Sequence, residues 1–195
     1  MQPELSAKAS EIVACTRALL AVGGYHSFSY ADISAAVHIS KPSIHHHFPS
    51  KAELVRTMVA LYREEARNGL AAVQQHLPAP LEQLQAYTGY WERCLQERDS
   101  SFCVCAMLAA ELPTLPPEVA DEVRGHFADL TAWLASRLEL GVALGQITLR
   151  GTPRAEASAF LAVVHGAMLA ARAEGNPGVF KDILQPVLQR LAPEA

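Results

Sequence analysis

Helix start and stop signals punctuate nearly the whole chain, and no other feature restricts its fold as strongly. Ser29 and Ser40 each precede a short segment with helical periodicity, as expected of N-cap residues. Thr152-Pro153 and Asn176-Pro177 each pair a capping side chain with a proline suited to a first helical turn. No alternating β-branched run and no Asn-Gly or Asp-Gly hairpin turn occurs. The sequence therefore predicts an all-α protein.

The same signals predict about nine helices joined by short connections. The first helix stops at Gly23-Gly24, and a capping box formed by Ser50 and Glu53 opens the fourth. The predicted helices cover residues 5–22, 29–37, 40–48, 51–76, 81–97, 102–112, 116–144, 153–173 and 177–191.

Charge is distributed unevenly along the chain. The net charge of −4 over 195 residues gives no overall attraction for nucleic acid or anionic membrane. Residues 1–56, however, carry five Lys/Arg against four Asp/Glu, with five of the eight histidines, whereas residues 57–195 carry 11 against 16. The N-terminal part is therefore the region suited to a polyanionic partner.

Cysteine content and hydropathy indicate the compartment. Four cysteines in a chain of this length do not make a disulfide framework. Charged residues interrupt any apolar run at the N-terminus, and no stretch reaches the roughly 20 apolar residues that span a bilayer. We expect a cytoplasmic protein with reduced thiols and no membrane partner.

Residues 29–48 have the dimensions of a helix-turn-helix, with two short helices joined by a tight turn at residues 37–40. Ile33 and Ile44 are placed to pack the two helices together. This spacing alone also fits a buried helical hairpin in an all-α enzyme. The chain has no Gly-rich phosphate loop, nucleophile elbow or His-Glu-x-x-His motif, so the sequence does not indicate an enzyme.

A longer pattern is more specific. Gly24-Tyr25, Ser29 and Asp32-Ile33, followed by the run from Val37 to Leu54, resemble the DNA-binding domain of the TetR family of transcriptional regulators. The resemblance covers about fifty residues, and the rest of the chain resembles the family only in length, helix count and layout. It implies a helix-turn-helix DNA-binding domain at residues 1–50 and a ligand-binding and dimerisation domain at residues 51–195.

The resemblance and the placement of side chains at the recognition helix together predict the DNA-contacting residues. The helix N-terminus is where side chains reach base edges and phosphates. Three positions depart from the family pattern, because His38 and Pro42 replace glycines and His45 replaces a tyrosine. The predicted DNA contacts are Ser29, Ser40, Lys41, Pro42, Ser43, His45, His46 and Lys51.

The resemblance also implies a small-molecule effector among helices four to eight, with release of operator DNA when it binds. The protein would then be a ligand-responsive regulator, a repressor acting as a homodimer on double-stranded operator DNA, without a cofactor. The effector would be a small organic compound, with an electrophile as one alternative. Soft and aromatic residues with polar tips suit such a site, although each also fits an ordinary core. The predicted ligand contacts are Tyr62, Tyr87, Trp91, Cys94, Cys103, Met107, Phe127, Trp133 and His165.

Two C-terminal helices predict the dimer. The segment from Pro153 to Ala173 is apolar or small nearly all round, and such a helix must be covered on every side. The following helix carries an apolar stripe from Phe180 to Leu191. We therefore expect residues 153–191 to form a four-helix interface with a second copy.

A metal site is not predicted, and two alternatives remain open at this point. Consecutive histidines at 45–47 lack the i, i+3 or i, i+4 spacing of helical metal pairs, so no metal site is predicted. Cys103 is predicted in the first turn of helix six, where exposed N–H groups would lower its thiol pKa and allow it to sense electrophiles. Otherwise Cys103 and Cys105 are small core residues. A helical ligand-binding or scaffold protein without DNA binding is the alternative function.

Overall fold

A computed structural model describes residues 5–97 and 102–193. Within these ranges the chain forms helices and no β-strand, as the sequence predicts. Two 3-10 helices, Tyr25–Ser27 and Leu112–Thr114, were not expected. The α-helices are α1 (Ala7–Gly23), α2 (Tyr30–Val37), α3 (Lys41–His47), α4 (Lys51–His76), α5 (Pro80–Gln96), α6 (Val104–Ala110), α7 (Pro117–Ala143), α8 (Pro153–Glu174) and α9 (Gly178–Leu191).

The capping residues read from the sequence form the hydrogen bonds expected of them. The side chains of Ser29, Ser40 and Thr152 accept backbone N–H groups at the starts of α2, α3 and α8. The start of α9 differs from the prediction, because Pro177 is its N-cap and not a first-turn residue, and Asn176 Oδ1 accepts the Gly178 N–H at 3.0 Å from one position earlier. These local bonds explain why the predicted helix starts lie close to the observed ones.

The chain divides into two compact units. The first unit contains the described residues up to Glu65 together with Phe102–His126. Its core holds fully buried aliphatic side chains from α1, α2, α3 and α4, which pack the three N-terminal helices on the start of the fourth. These side chains are Ile12, Leu20, Ile33, Ile44 and Leu54. Helix α6 packs on α1 within the same unit.

The second unit contains Ala66 to residue 97 and the chain from Phe127 onwards. Helix α9 packs on both α8 and α5 there. Phe180, Leu184 and Leu191, which belong to the stripe predicted at the dimer interface, are buried within the protomer instead. Pro186 lies inside α9, which was predicted as an uninterrupted helix. None of the helices in the described part of the chain has both the length and the apolar composition to cross a membrane.

Candidate functional site

The two short helices α2 and α3 are held at a fixed angle by their turn and a shared core. His38 ends α2 in the left-handed conformation, with φ 54° and ψ 45°, which histidine tolerates better than β-branched residues do. The Ser34 hydroxyl donates to the Ile39 carbonyl at 2.5 Å, closing the turn. Ile33 and Ile44 are fully buried between the helices. This is helix-turn-helix geometry.

A reciprocal capping box fixes the start of α2. Ser29 Oγ accepts the Ala31 N–H at 3.2 Å, and the Ser29 N–H donates to Asp32 Oδ2 at 2.7 Å. Hydrogen bonds from the Ser29 hydroxyl and N–H lower the pKa of the Asp32 carboxyl below its ordinary value. Because its hydroxyl already serves the cap, Ser29 could reach DNA only from this fixed position.

The surface of α3 presents most of the predicted DNA contacts. Ser40, Lys41, Pro42 and His46 are exposed. Ser40 Oγ accepts the Ser43 N–H at 3.3 Å, so Ser43 lies in the first turn. Pro42 also falls in that turn, where a missing N–H costs the helix nothing.

The two remaining histidines of the run have neighbours on the protein. His45 Nδ1 lies 3.2 Å from the Pro49 carbonyl oxygen, and its ring lies 4.7 Å from that of Tyr30. The rings of His46 and His47 meet edge to face at 5.6 Å. No group of three or more His, Cys, Asp or Glu side chains within residues 5–97 and 102–193 is arranged to hold a metal ion.

Lys51 is the predicted contact whose surroundings differ most from expectation. Its ammonium donates to the Phe28 carbonyl and lies 4.0 Å and 4.8 Å from the ring centroids of Phe28 and Tyr25. Burial lowers the pKa of Lys51, and the negative charge of Glu111 partly offsets this effect. In the free protein, Lys51 therefore binds the loop that precedes α2.

Two family models match this arrangement. Residues 12–58 match the model of bacterial regulatory proteins of the tetR family, and residues 80–187 match the tetracyclin repressor-like C-terminal domain. The chain belongs to the TetR family of transcriptional regulators. A TetR family regulator from Agrobacterium tumefaciens is 52% identical, with 96% of this chain and 98% of that chain covered and a TM-score of 0.95.

More distant TetR-like structures share the fold. The reduced form of Escherichia coli NemR is 20% identical, covering 96% of this chain and 99% of its own, with a TM-score of 0.84. A regulator from Saccharomonospora viridis in complex with choline is 18% identical, covering 97% and 100%, with a TM-score of 0.82. No curated protein matches the chain.

Three of the predicted effector contacts of this TetR family member, Tyr62, Cys103 and Met107, belong to the first unit. The Tyr62 hydroxyl donates to Cys103 Sγ at 3.5 Å. The Tyr62 ring lies 5.4 Å from that of His126 and 4.8 Å from the Arg17 guanidinium carbon. His126, which is buried, was not among the predicted contacts, because a lone histidine on a helix carries no pattern.

Cys103 is not in the first turn of α6 but precedes it as the N-cap residue. Its side chain is completely buried, and burial raises the pKa of its thiol although the Tyr62 hydrogen bond opposes this. The predicted lowering of the Cys103 pKa is therefore wrong, because desolvation outweighs the helix terminus. Burial also raises the pKa of Cys105 well above its ordinary value. Residues 99–101, on which the predicted helix start depended, lie outside the described residues.

The other six predicted effector contacts belong to the second unit, and the structure brings two pairs of them together. The ring centroids of Tyr87 and Trp133 are 6.0 Å apart, and those of Phe127 and His165 are 5.2 Å apart. Trp133 also donates its indole N–H to Gln74 Oε1 at 2.9 Å. The remaining two residues of the six, Trp91 and Cys94, are buried on α5.

Trp91 Nε1 and His165 Nε2 are buried without a hydrogen-bond partner. Desolvation lowers the pKa of His165 to about 4, so its ring is neutral at pH 7. Buried polar groups in folded proteins are nearly always paired. These two atoms are therefore the strongest structural sign of a ligand among the predicted contacts.

Proposed function

We propose that this TetR family regulator binds operator DNA as a homodimer and releases it when a small organic effector binds. The exposed N-terminal surface of α3 carries the DNA-binding part of the proposal. Ser40 and Lys41 project there from a helix fixed by its cap and by Ile44, and His46 is exposed in the last turn of the same helix. Side chains in this position of a helix-turn-helix reach the major groove.

Salt-dependent binding tests the proposed phosphate contacts. A duplex operator would first be selected from a random-sequence pool with the unmodified protein. Lys41→Ala should then reduce the slope of log affinity against log salt by about one if Lys41 neutralises one phosphate. Gln75→Ala, an exposed change on α4, is the matched control. Failure of the unmodified protein to enrich any sequence would favour the alternative of a ligand-binding protein without DNA binding.

An exposed face of α8 supports the homodimer. Leu169 is 60% exposed, and Gly166 has open space where a side chain would project. Ala155, Ala159 and Ala162 continue the same exposed face. Small residues allow two helix backbones to approach closely, and a two-fold interface suits a two-fold operator. We therefore place the dimer contact on this face of α8, because Phe180, Leu184 and Leu191 of the α9 stripe are already buried within the protomer.

The buried unpaired atoms support an effector that supplies hydrogen-bond acceptors. Trp91 Nε1 can only donate, and the neutral His165 ring can donate or accept one hydrogen bond. Because the Trp91 indole needs an acceptor, a carbonyl or carboxylate compound fits it better than a cation does. Because burial raises the pKa of Cys103, we propose reversible binding in preference to covalent capture of an electrophile.

Ligand-induced thermal stabilisation tests this effector class. A panel of aromatic carboxylates, quinones and amines should show stabilisation by acceptor-bearing members, since a ligand that binds only the folded state raises its melting temperature. Trp91→Phe should lose most of that stabilisation while keeping the aromatic ring. Tyr90→Phe, on the exposed side of α5, is the control. Stabilisation by amines alone would contradict the proposed class.

The functional boundary also remains a proposal. We assign operator binding to residues 1–50 and effector binding and dimerisation to residues 51–195. Packing groups residues 102–126 with the N-terminal helices. The end of α6 is therefore in the same compact unit as the DNA-binding helices α2 and α3. A movement of α6 on effector binding could then alter operator binding within that unit.

A further inference from the structure

The loop between α1 and α2 is held from two sides by side chains distant in sequence. This loop, Gly24–Phe28, contains the 3-10 helix and leads directly to the cap of α2. Lys51, the first residue of α4, donates to the Phe28 carbonyl at one end. Glu111, which follows α6, contacts the other end.

The Glu111 carboxylate occupies the start of the 3-10 helix. Its Oε2 accepts the backbone N–H of Tyr25 at 2.5 Å, and its Oε1 lies 3.5 Å from the backbone nitrogen of His26. The first N–H groups of a helical turn have no partner within the turn, so the carboxylate supplies the missing acceptors. Thr114 adds a contact, with its Oγ1 3.2 Å from His26 Nε2.

The fit between the carboxylate and the loop depends on glycine at position 24. A Cβ atom there would lie 2.5 Å from Glu111 Oε2. Gly24 also has φ 80°, a conformation that strongly favours glycine. The loop backbone is therefore shaped both to turn and to receive this side chain closely.

The restrained loop is connected directly to the reading head, which consists of α2 and α3. Phe28 is buried and precedes Ser29, the cap of α2. At the far end of the motif, the Tyr30 hydroxyl donates to the Phe48 carbonyl at 2.9 Å, which ties the start of α2 to the end of α3. A displacement of Gly24–Phe28 would therefore move both helices of the DNA-binding motif.

We propose that Glu111 is a positioning residue for DNA binding, whose carboxylate connects the end of α6 to the Gly24–Phe28 loop and fixes the orientation of α2 and α3. This inference rests on the proposed operator binding and adds a residue that does not touch DNA. An effector-driven movement of the end of α6 would displace the Gly24–Phe28 loop through this carboxylate.

Whether Glu111→Gln weakens or strengthens DNA binding distinguishes a positioning role of the carboxylate from a simple effect of its negative charge. Removing a negative charge from a DNA-binding unit should by itself strengthen DNA binding. Glu111→Gln should instead weaken binding to the selected operator about tenfold, within the range seen for coupling residues. The salt slope should stay unchanged, because no phosphate contact is lost. Glu64→Gln, an exposed position on α4 with the same charge change, should bind as well as the unmodified protein or better.

Two further measurements separate positioning from general destabilisation. Glu111→Asp keeps the charge but shortens the side chain, and should weaken operator binding to a similar extent. A purely stabilising role would lower the melting temperature and leave the affinity of the folded protein unchanged. Hydrogen exchange on the unmodified protein should show protected Tyr25 and His26 amides, and both should exchange faster in the two Glu111 variants.

The outcomes distinguish failure of the positioning role from failure of the proposed function. Operator affinity of Glu111→Gln equal to that of Glu64→Gln would overturn the positioning role while leaving operator binding intact. Unprotected Tyr25 and His26 amides in the unmodified protein would overturn it even if neither variant folds. If the unmodified protein binds no operator, the proposed function fails, and exchange at these amides still reports whether the carboxylate holds the loop.

Discussion

His165 lies on α8 with a ring that is neutral at pH 7, because desolvation lowers its pKa to about 4. In the unfolded chain the same ring has a pKa near 6.5, so the unfolded state binds more protons between these values. The free energy of unfolding should therefore decrease as the pH falls from 6.5 towards 4.

Substitution at His165 tests this pH dependence. His165→Gln should lose less stability between pH 7 and pH 5 than the unmodified protein does, as measured by urea unfolding at both values. His46→Gln removes an exposed histidine and should behave like the unmodified protein. An unchanged pH dependence in His165→Gln would show that the ring is hydrated in the native state.

The burial of a second single residue, Cys103, leads to a prediction about its reactivity. Its side chain is inaccessible, and burial raises its pKa. Since the thiolate is the reacting form, N-ethylmaleimide at pH 7 should label Cys103 far more slowly in the native protein than in urea. Peptide mass spectrometry would locate the adduct. Rapid native labelling, with loss of DNA binding that Cys103→Ser prevents, would restore the electrophile-sensing alternative.

At the scale of the helix, the capping box of α2 makes a separable contribution. Ser29→Ala removes the acceptor for the Ala31 N–H and the hydroxyl donor to Asp32. Loss of an N-cap costs about 1 kcal/mol, so the free energy of unfolding should decrease by about that amount and operator affinity should also fall. Ser10→Ala lies inside α1, where alanine is the better helix former. Chemical denaturation of both variants would show a smaller or opposite change for Ser10→Ala.

Local signals determined most helix boundaries and could not determine the contacts between helices. Ser29, Ser40 and Thr152 were recognisable because an N-cap bond joins residues two or three apart. Glu111 was not recognisable, since it accepts an N–H from a residue 86 positions earlier. The choice between a reactive and a core Cys103 could not be made from the sequence for the same reason, because the Tyr62 hydroxyl that donates to its sulfur belongs to α4.

Apolar patterns likewise showed which faces are covered but not what covers them. The stripe from Phe180 to Leu191 was predicted to meet a partner, yet its residues Phe180, Leu184 and Leu191 are buried within the protomer, where α8 and α5 pack against α9. A burial pattern is identical for both cases, because the hydrophobic effect does not depend on which chain supplies the neighbour.

At the scale of the whole molecule, the exposed face of α8 predicts the assembly. Leu169→Glu should yield a folded monomer. The side chain is 60% exposed in the protomer, so a charge at this position should destabilise the dimer interface and not the fold of the protomer. Analytical ultracentrifugation would show the change in mass, and circular dichroism would show retained helix. Gln75→Glu, which adds the same charge on α4, should leave the dimer intact. A monomeric unmodified protein at micromolar concentration would contradict the proposed interface.

The first unit also has a consequence for the order of events during synthesis. Its reading head is encoded before residue 50, but α6 and Glu111 come from Phe102–His126. At about 5–20 residues per second, a ribosome needs several further seconds to supply that segment. Until then the α6-facing surface of α1 lacks its cover, and the Tyr25 N–H lacks its acceptor. The DNA-binding unit of a nascent chain should therefore become ordered only after Glu111 has been synthesised, and before α8 with its proposed dimer contact follows.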